Sequence, residues 1–456
     1  MSKTNELGTE SILRLLIRYS LPSIVAMVIN SIYNIIDRIF IGNYVGEAAL
    51  GGLAITFPIM MIIFAFATLI GVGGNVLFSI SLGQNNKREA SKIFTSTIGL
   101  CILVSIITIL ILFFNLDSLL SFFGATDEIL SYSVNYMQII LAGFLFQMIS
   151  FSLINSIRNE GAPVLPMISM IASAIINIVL DYILIYILNW GVEGAALATV
   201  LGQFVGFLIL VSFYIRGKSI IKIYIKDILP NFKTIREIIS IGFASFAGTM
   251  GASIALIVLN RAFSQYGGTS AIASMGAVNS LYTLCLMPLM GIQQGMLPIL
   301  GYNHGAGLKK RVWNTLSIAI IISVIFSIIM FIMLELFANQ AVTLFLDNES
   351  STYQIAAIGL RLYILSLPVV TINLLGVAFF QSIADASRSL FLGLLRQFIF
   401  LIPLVFILPI FMGLEGVWLS TPIADILAVI TTAIILVREY KKDKVEKSQL
   451  VLLTTN

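Results

Sequence analysis

The sequence has few charged residues, a single histidine and two cysteines, and each shortage excludes a class of protein. Of its 456 residues, 26 are Lys or Arg and 22 are Asp or Glu, so 11% are charged, against about 25% in soluble proteins. So little charge cannot cover a water-exposed surface, which excludes a soluble enzyme. The one histidine, His304, excludes a multi-histidine metal site and a histidine-based catalytic triad. Cys101 and Cys285 lie in apolar runs and cannot form a disulfide framework.

Apolar residues are abundant instead. They make up 59% of the chain, and the mean hydropathy is +1.02. Runs long enough to cross a bilayer, about 20 residues each, recur along the whole sequence at 15–41, 49–81, 93–114, 129–157, 164–188, 193–215, 236–263, 271–300, 313–337, 353–382, 389–411 and 415–437. The pattern predicts an all-α integral membrane protein with twelve transmembrane helices and short loops.

The positive charges predict how these helices are oriented. Of the 26 Lys and Arg residues, 23 fall on the side that carries both termini and the central linker. We include among them Arg388 and Arg396, which we assign to the region between the tenth and eleventh spans. Only Arg38, Arg261 and Arg361 are assigned to the opposite side. By the positive-inside rule both termini are cytoplasmic, in the plasma (inner) membrane. The net charge of +4 is then a topology signal, and no nucleic-acid partner is expected.

Short sequence matches indicate that the chain is a duplicated six-helix unit. GVEGAALAT at 191–199 and GLEGVWLST at 413–421 agree at five of nine positions, 222 residues apart. Three further matches are collinear with this one: 36–40 with 259–263, 152–157 with 378–383, and 82–83 with 300–301. An even number of helices per unit inserts both halves the same way up, which predicts two six-helix bundles related by a pseudo-two-fold axis along the membrane normal. A cavity between them near the midplane favours a carrier over a channel.

The duplication also predicts the domain organisation. We expect an N-terminal six-helix lobe at 1–215, a cytoplasmic linker at 216–235, a C-terminal lobe at 236–437 and a cytoplasmic tail at 438–456. No soluble domain is expected, and we predict a monomer.

Two carboxylates lie inside predicted helices of the first lobe. Asp37 is seven residues from Tyr44 at the outer turn, or about 10 Å deep at 1.5 Å per residue. Asp181 is ten residues before Gly191, or about 15 Å below the same face. A charged residue at the centre of a membrane helix costs roughly 2.5–3.5 kcal/mol on insertion scales, so a functional role is expected for both.

Two neutral oxygen donors accompany these carboxylates. Asn177 is four residues before Asp181, which puts both side chains on one helical face. Thr199 is eight residues after Gly191, or about 12 Å deep. Carboxylate, amide and hydroxyl oxygens suit a small alkali cation, and repulsion between two nearby carboxylates would also let protons compete. We predict a Na⁺ or H⁺ site, with Na⁺ favoured because amide and hydroxyl ligands add nothing to a site that only carries protons.

The second half offers a comparison, because the repeat offsets align Asn260 with Asp37 and Pro403 with Asp181. The carboxylate pair is absent there, so the cation site is predicted to belong to the first half. Asp425 in the last helix is a lone carboxylate for which the sequence assigns no role.

These features together resemble the multidrug and toxic compound extrusion (MATE) family. The resemblance covers essentially the whole chain and rests on the two six-helix halves, on Pro22 fifteen residues before Asp37, and on the set Asn177, Asp181 and Thr199. It implies that the first-half aspartates bind the coupling ion with Asn177 and Thr199. It also implies a helix-four asparagine in this network, to which Asn155 corresponds. Pro22 removes a helical hydrogen bond and is expected to permit a bend in helix one.

The resemblance implies secondary active antiport, in which cationic, amphipathic organic compounds leave the cell in exchange for inward Na⁺ or H⁺, with no cofactor. A flippase for a lipid-linked precursor is the alternative, although such a protein would be expected to line its cavity with several arginines. An intramembrane enzyme is the third possibility. No grouping of nucleophile and base supports it.

Overall fold

The computed structural model describes residues 5–346 and 351–454, and within these ranges the chain is helical with no β-strand. In the first half, the spanning helices are α1 (Ile12–Tyr44), α2 (Glu47–Gly83), α3 (Lys87–Phe122), α4 (Asp127–Asn159), α5 (Val164–Asp181, continued by the π-helix Tyr182–Ile187) and α6 (Gly191–Ile215). A short 3₁₀-helix, Ile225–Asp227, lies in the linker to the second half.

The described part of the second half contains six further spanning helices and a short helix, Ala338–Val342, and two pairs of the spanning helices follow each other almost without a loop. The helical stretch Phe232–Gly305 breaks at Gly268 (φ 65°), which separates α7 from α8. Next come α9 (Lys309–Leu336), α10 (Ser351–Tyr363, a 3₁₀ turn Ile364–Ser366, then Leu367–Ser382) and α11, which starts with Ala386–Leu394 and the π-helix Leu395–Leu401. The stretch Ile402–Thr454 breaks at Gly413 (φ 56°), where α11 ends and α12 begins. The twelve predicted spans are therefore confirmed within the described residues.

The ends of several helices are fixed by side-chain caps. Ser11, Asn86, Asn231 and Asp385 each precede a helix and accept a hydrogen bond from the backbone N–H three residues later, at 3.4, 3.1, 2.9 and 3.1 Å. Each cap satisfies a donor that the first turn of a helix leaves without a partner. Four polar residues in an apolar sequence thus mark where α1, α3, α7 and α11 begin.

Unusual backbone angles confirm the duplication and fix its spacing. Left-handed φ values occur at Gly46 and Gly268, and again at Gly191 and Gly413, two pairs that are each 222 residues apart. The spacing of 222 at the neighbouring Gly46 and Gly268 aligns Asp37 with Leu259, so the alignment with Asn260 is wrong by one residue. Leu259 is buried in the second half as Asp37 is in the first, and the conclusion that the carboxylate is absent there stands.

Two of the short sequence matches are out of register for the same reason. Because α2 ends at Gly83 and α8 at Gly305, Gly83 corresponds to Gly305 and not to Gly301. The turns after α4 and α10 contain Gly161 (φ 90°) and Ala384 (φ 60°), a spacing of 223. The match between 152–157 and 378–383 is therefore off by about three residues.

The pseudo-two-fold relation is visible where α2 crosses α8. A Cβ atom on Gly83 would lie 2.0 Å from the carbonyl oxygen of Tyr302, and one on Gly305 would lie 2.1 Å from that of Ile80. Gly83 and Gly305 are 222 residues apart, and so are Ile80 and Tyr302, so the repeat exchanges the two contacts. The axis that relates the halves therefore passes between α2 and α8, along the direction in which these helices cross the membrane.

Each half builds its own apolar core, and we call α1–α6 the N-lobe and α7–α12 the C-lobe. The largest buried cluster draws on residues between 41 and 238, and a second one on residues between 255 and 424. A third cluster packs residues 7–19 at the start of the chain against 292–436. The first turns of α1 therefore contact the C-lobe, while the later turns belong to the N-lobe.

The segment predicted as a tail begins as a continuation of α12, which stays helical as far as Thr454. Asp443 docks it on α9, since its carboxylate lies 2.7 Å from the Lys309 ammonium and accepts a hydrogen bond from the Trp313 indole at 2.9 Å.

Candidate functional site

Asp181 occupies the last α-helical position of α5. Its side chain is fully buried, and neither carboxylate oxygen has a hydrogen-bond partner among the described residues. The π-helix Tyr182–Ile187 follows at once, and such widened turns are frequent at functional sites. A buried carboxylate with two unpaired oxygens is costly in a protein interior, so this position is suited to a ligand that supplies positive charge.

Asn177 and Thr199 lie beside this carboxylate. Asn177 is one helical turn before Asp181, and its amide nitrogen donates to the Thr199 hydroxyl of α6 at 3.3 Å. The helices approach closely because a Cβ on Gly202 of α6 would lie 2.7 Å from the carbonyl oxygen of Ser173 on α5. The Asn177 carbonyl oxygen is buried and has no partner in the described part of the chain, so it is free to accept a cation.

Asp37 of α1 completes the group. It is 8% exposed, and its Oδ1 atom also lacks a partner within the described residues. Asp37 and Asp181 are close enough for mutual electrostatic repulsion. The buried phenol of Tyr136 on α4 interacts electrostatically with both. The sequence did not indicate that Tyr136 lies at this site, because a single tyrosine in an apolar helix cannot be distinguished from a packing residue.

This arrangement of oxygens fits a small cation. The structure brings Asp37, Asn177, Asp181 and Thr199 together from three helices. Four of their buried oxygens have no hydrogen-bond partner in the part of the chain that the structure describes: Oδ1 of Asp37, Oδ1 of Asn177 and both of Asp181. Hard oxygen donors of this kind match Na⁺, and a proton on either aspartate would also relieve the repulsion between them.

Asn155 lies apart from this group. Its amide donates to the carbonyl of Phe151 in its own helix, and its oxygen accepts from the Arg158 guanidinium at 3.3 Å. Asn155 is 19 residues beyond Tyr136 on α4, a distance of about 28 Å along the helix axis. The structure therefore places Asn155 near the opposite end of α4, where Arg158 also contacts Gln294 of the C-lobe.

The N-lobe contains a cavity next to the carboxylate group. Its volume is about 180 Å³, and its lining combines aromatic rings with amide and hydroxyl groups from five helices: Asn30, Tyr33, Phe64, Ala67, Gln147, Ser150, Phe151, Ile154, Ser169, Met170, Ser173, Gln203 and Gly206. Ser173 is one helical turn before Asn177 on α5, and Gln203 is one turn after Thr199 on α6. The cavity thus adjoins the carboxylate group on the side away from the outer turns.

The lobes contact each other at the end that is predicted to be cytoplasmic. A Cβ atom on Gly73 of α2 would lie 2.0 Å from the carbonyl oxygen of Ile238, and one on Gly242 of α7 would lie 1.7 Å from that of Leu69. Towards the opposite end, a Cβ atom on Gly276 of α8 would have no neighbour within 4 Å among the described residues. The two lobes are therefore in close contact at the end that carries the loop between α2 and α3 and the loop between α8 and α9.

The C-lobe contains a different polar group. Asp425 of α12 is 1% exposed, and Arg396 of α11 donates to it through Nε at 2.5 Å. The assignment of Arg396 to a cytoplasmic loop is wrong, because it lies eleven residues after the cap at Asp385, or about 16 Å into the helix. The pairing with Asp425 explains how the helix tolerates this charge.

A fourth buried carboxylate, Glu160, anchors the linker just beyond the end of α4. Its Oε2 atom accepts hydrogen bonds from the Ser219 hydroxyl and the Ile220 amide, both at 2.7 Å, while Oε1 is buried without a partner among the described residues. Burial raises the pKa of the Glu160 carboxyl to about 7, and the two hydrogen bonds oppose this shift. The carboxyl is therefore expected to change protonation near neutral pH.

Replacing Glu160 by Gln should remove a pH-dependent contribution to stability. Because its pKa is higher in the folded protein than in an exposed glutamate, the folded state holds a proton that the unfolded chain has released, and stability falls as the pH rises towards 7. We expect the melting temperature of Glu160→Gln to change less between pH 6 and pH 8 than that of the wild type. Glu237→Gln, at an exposed glutamate, should behave like the wild type. Equal pH dependence in all three proteins would contradict the assignment.

Comparisons with known proteins agree with this architecture. The MatE family model matches residues 22–183 and 244–407, so it matches once in each lobe. The chain is 28% identical to "Multidrug export protein MepA" of Staphylococcus haemolyticus over 442 residues, covering 97% of both chains. It is 26% identical to the protein of the same name from Staphylococcus saprophyticus, with the same coverage.

Solved structures share the fold over nearly the whole chain. "Outward-facing conformation of a multidrug resistance MATE family transporter of the MOP superfamily" has a TM-score of 0.89 at 25% identity, covering 95% of this chain and 96% of that one. "Crystal structure of MATE in the straight conformation" has a TM-score of 0.92 at 24% identity, covering 98% and 100%.

Two homologous six-helix lobes, each with buried polar side chains, are the architecture of a membrane transporter. The chain belongs to the MatE family. The protein is thus a membrane transporter and not an enzyme.

Proposed function

We propose that the protein is a cation-coupled antiporter that exports cationic, amphipathic organic compounds from the cell in exchange for Na⁺ or H⁺. The observation that carries the proposal is the group of unpaired buried oxygens on Asp37, Asn177 and Asp181. A transporter has no structural reason to retain two repelling carboxylates in its interior unless a cation visits them. We further propose a monomer in the plasma membrane with both termini cytoplasmic.

The composition of the site favours Na⁺ as the coupling ion. The unpaired carbonyl oxygen of Asn177 and the hydroxyl of Thr199 can ligate a metal ion, whereas proton carriage needs only a carboxylate. Protons remain competitors at acidic pH, because protonation of Asp37 or Asp181 removes the same repulsion.

The cavity beside the ion site supports a mixed aromatic and polar substrate. Phe64, Phe151 and Tyr33 offer ring faces to a cationic aromatic compound, and Gln147 and Gln203 offer amide groups. The names of the MepA relatives, multidrug export proteins, support the same substrate class. No arginine lines this cavity, which disfavours the alternative of a flippase for a lipid-linked precursor.

Coupling would act through α1, which carries Asp37 and contacts both lobes. Gly291 and Gly295 of α8 allow the backbone of α1 near Ile24 and Ser20 to approach closely, so this part of α1 is held by the C-lobe. Pro22 lies between these contacts and cannot donate a helical hydrogen bond. Ion binding at Asp37 and Asp181 would bend α1 near Pro22 and weaken substrate binding. By linkage, substrate must weaken ion binding by the same factor.

Replacing Pro22 with Ala should slow transport and stabilise the protein. Alanine restores the missing backbone donor and favours an unbent helix, since proline inside a helix costs about 3 kcal/mol. We expect a melting temperature at or above that of the wild type, together with ion-driven export several-fold slower. Ser31→Ala, on the same helix beyond the contact with α8, is the matched control. Wild-type transport by Pro22→Ala would contradict a bend at this residue.

The proposal is tested by ethidium efflux from liposomes that contain the purified protein. We expect an inward Na⁺ gradient to accelerate efflux without a pH gradient. A response to a pH gradient alone would keep the antiporter and assign the carboxylate pair to protons. No response to either gradient would contradict the proposal and favour the flippase, for which translocation of a labelled lipid-linked precursor would then be measured.

A further inference from the structure

The buried carboxylate of the C-lobe differs from those of the N-lobe in being fully satisfied. Arg396 of α11 donates to one oxygen of Asp425, and the Ser366 hydroxyl of α10 donates to the other at 2.7 Å. Asp181, in contrast, has two oxygens without a partner among the described residues. Each lobe thus has a buried carboxylate among its fourth, fifth and sixth helices, but only the one in the C-lobe is permanently paired.

The pair lies in the part of the C-lobe that corresponds to the cavity of the N-lobe. At the constant spacing of 222, Thr421 corresponds to Thr199 and Asp425 to Gln203, which lines the N-lobe cavity. Arg396 corresponds to the buried Ala174, the neighbour of Ser173, which lines the same cavity. The Asp425 carboxylate therefore stands where Gln203 lines the cavity of the N-lobe, and the Arg396 guanidinium pairs with it at that position.

The other groups that face this pair carry no second full charge. The rings of Tyr282 on α8 and Tyr363 on α10 are buried and interact electrostatically with both Arg396 and Asp425. Among these groups, Arg396 alone therefore supplies the positive charge that balances the negative charge of Asp425. The side chain of Arg396 is 24% exposed, whereas that of Asp425 is 1% exposed, so removal of the arginine would open a path to the carboxylate.

From this geometry we infer that Arg396 is a resident cation, which holds the C-lobe carboxylate Asp425 permanently neutralised and thereby closes a latent cation site. Without the guanidinium, the oxygens of Asp425, with the hydroxyls of Ser366 and Thr421, would take up a proton or an alkali cation. The consequence that ion exchange is confined to the N-lobe rests on the function proposed above. The identity of Arg396 as the resident cation does not depend on that proposed function.

The test uses a background that carries both Asp37→Asn and Asp181→Asn, so that the outcome does not depend on whether the N-lobe carboxylates bind ions. Melting temperatures are measured in detergent at pH 6 and pH 8, in NaCl and in choline chloride of equal ionic strength. We expect Arg396→Met in this background to melt several degrees below its parent at pH 8 in choline chloride. Na⁺ or acid should restore most of this loss. The parent should show no response to Na⁺, and between pH 8 and pH 6 only the small shift in melting temperature that Glu160 causes in every variant.

Two further variants complete the test. Adding Asp425→Asn to Arg396→Met should abolish the new response and recover the lost melting temperature, because no unpaired charge remains. Arg396→Lys keeps a cation and should acquire no response. If Arg396→Met does not fold, the test uses Asp425→Asn alone, which leaves the Arg396 guanidinium without its partner and should lower the melting temperature. Adding Arg396→Met to Asp425→Asn should then restore the melting temperature. Additive losses in the double variant, or no response to Na⁺ and acid in Arg396→Met, would overturn the inference.

Discussion

Replacement of Asp181 by Asn is expected to abolish ion-driven export while leaving the protein folded. Asparagine has the same shape but no charge, so it can neither neutralise a cation nor carry a proton. We expect ethidium efflux under a Na⁺ gradient to fall at least about tenfold, to the rate of leakage, because coupling free energies of about 1–3 kcal/mol correspond to factors of about 5 to 150. In Na⁺-free buffer the melting temperature should equal or exceed that of the wild type, since the repulsion with Asp37 is gone.

Glu415→Gln is the matched control for this variant, because Glu415 is an exposed carboxylate at the start of α12. It should export ethidium at the wild-type rate. Asp37→Asn should show the same loss as Asp181→Asn if the two carboxylates serve one ion. Wild-type, gradient-dependent efflux by both aspartate variants would refute the N-lobe ion site.

The second large effect is expected where the lobes meet. Alanine at Gly83 would place a Cβ atom 2.0 Å from the carbonyl oxygen of Tyr302, a backbone atom that cannot rotate away. Overpacking of this kind costs about 1–3 kcal/mol. If the cost falls on the form in which the two lobes are in contact, the equilibrium shifts towards the form in which they separate at this contact, by a factor of about 5 to 150. We expect Gly83→Ala and Gly305→Ala each to slow export about tenfold.

The cause is checked by labelling a cysteine introduced at Ser79, which is buried at this contact and donates to the carbonyl of Pro298 at 3.3 Å. In a background without Cys101 and Cys285, maleimide should label this position faster when Gly83 is alanine. Gly276→Ala, at a glycine of α8 with open space around it, should change neither labelling nor export. Normal export by both contact variants would show that this tight approach is dispensable.

The fold could be predicted from the sequence because membrane helices obey one rule. Twelve apolar runs of sufficient length predicted twelve helices, since a backbone in lipid must satisfy its hydrogen bonds within each segment. Sequence repeats predicted the duplication, but short matches fixed its spacing only to within a few residues. The left-handed glycines at Gly46, Gly191, Gly268 and Gly413 were needed to set it at 222.

The polar groups could be predicted only in part. Depth along a helix was enough to put Asp37, Asn177, Asp181 and Thr199 at one level, because they follow or precede recognisable turns. Depth alone could not find Tyr136, which an apolar helix conceals. The predicted span 389–411 already contained Arg396, but depth could not reveal that Asp425, 29 residues away on the next helix, neutralises it inside the bilayer. The positive-inside rule assumes that arginines lie outside the bilayer, and a buried ion pair is the exception to it.

The most direct test of the account is a pair of reciprocal titrations on the purified protein. Ethidium binding is measured by fluorescence at several Na⁺ concentrations, and Na⁺ binding by isothermal titration calorimetry with and without ethidium. The account predicts that Na⁺ weakens ethidium binding, that ethidium weakens Na⁺ binding by the same factor, and that both effects disappear in Asp181→Asn. An ethidium affinity that is independent of both Na⁺ and pH in the wild-type protein would contradict coupling through the N-lobe carboxylates.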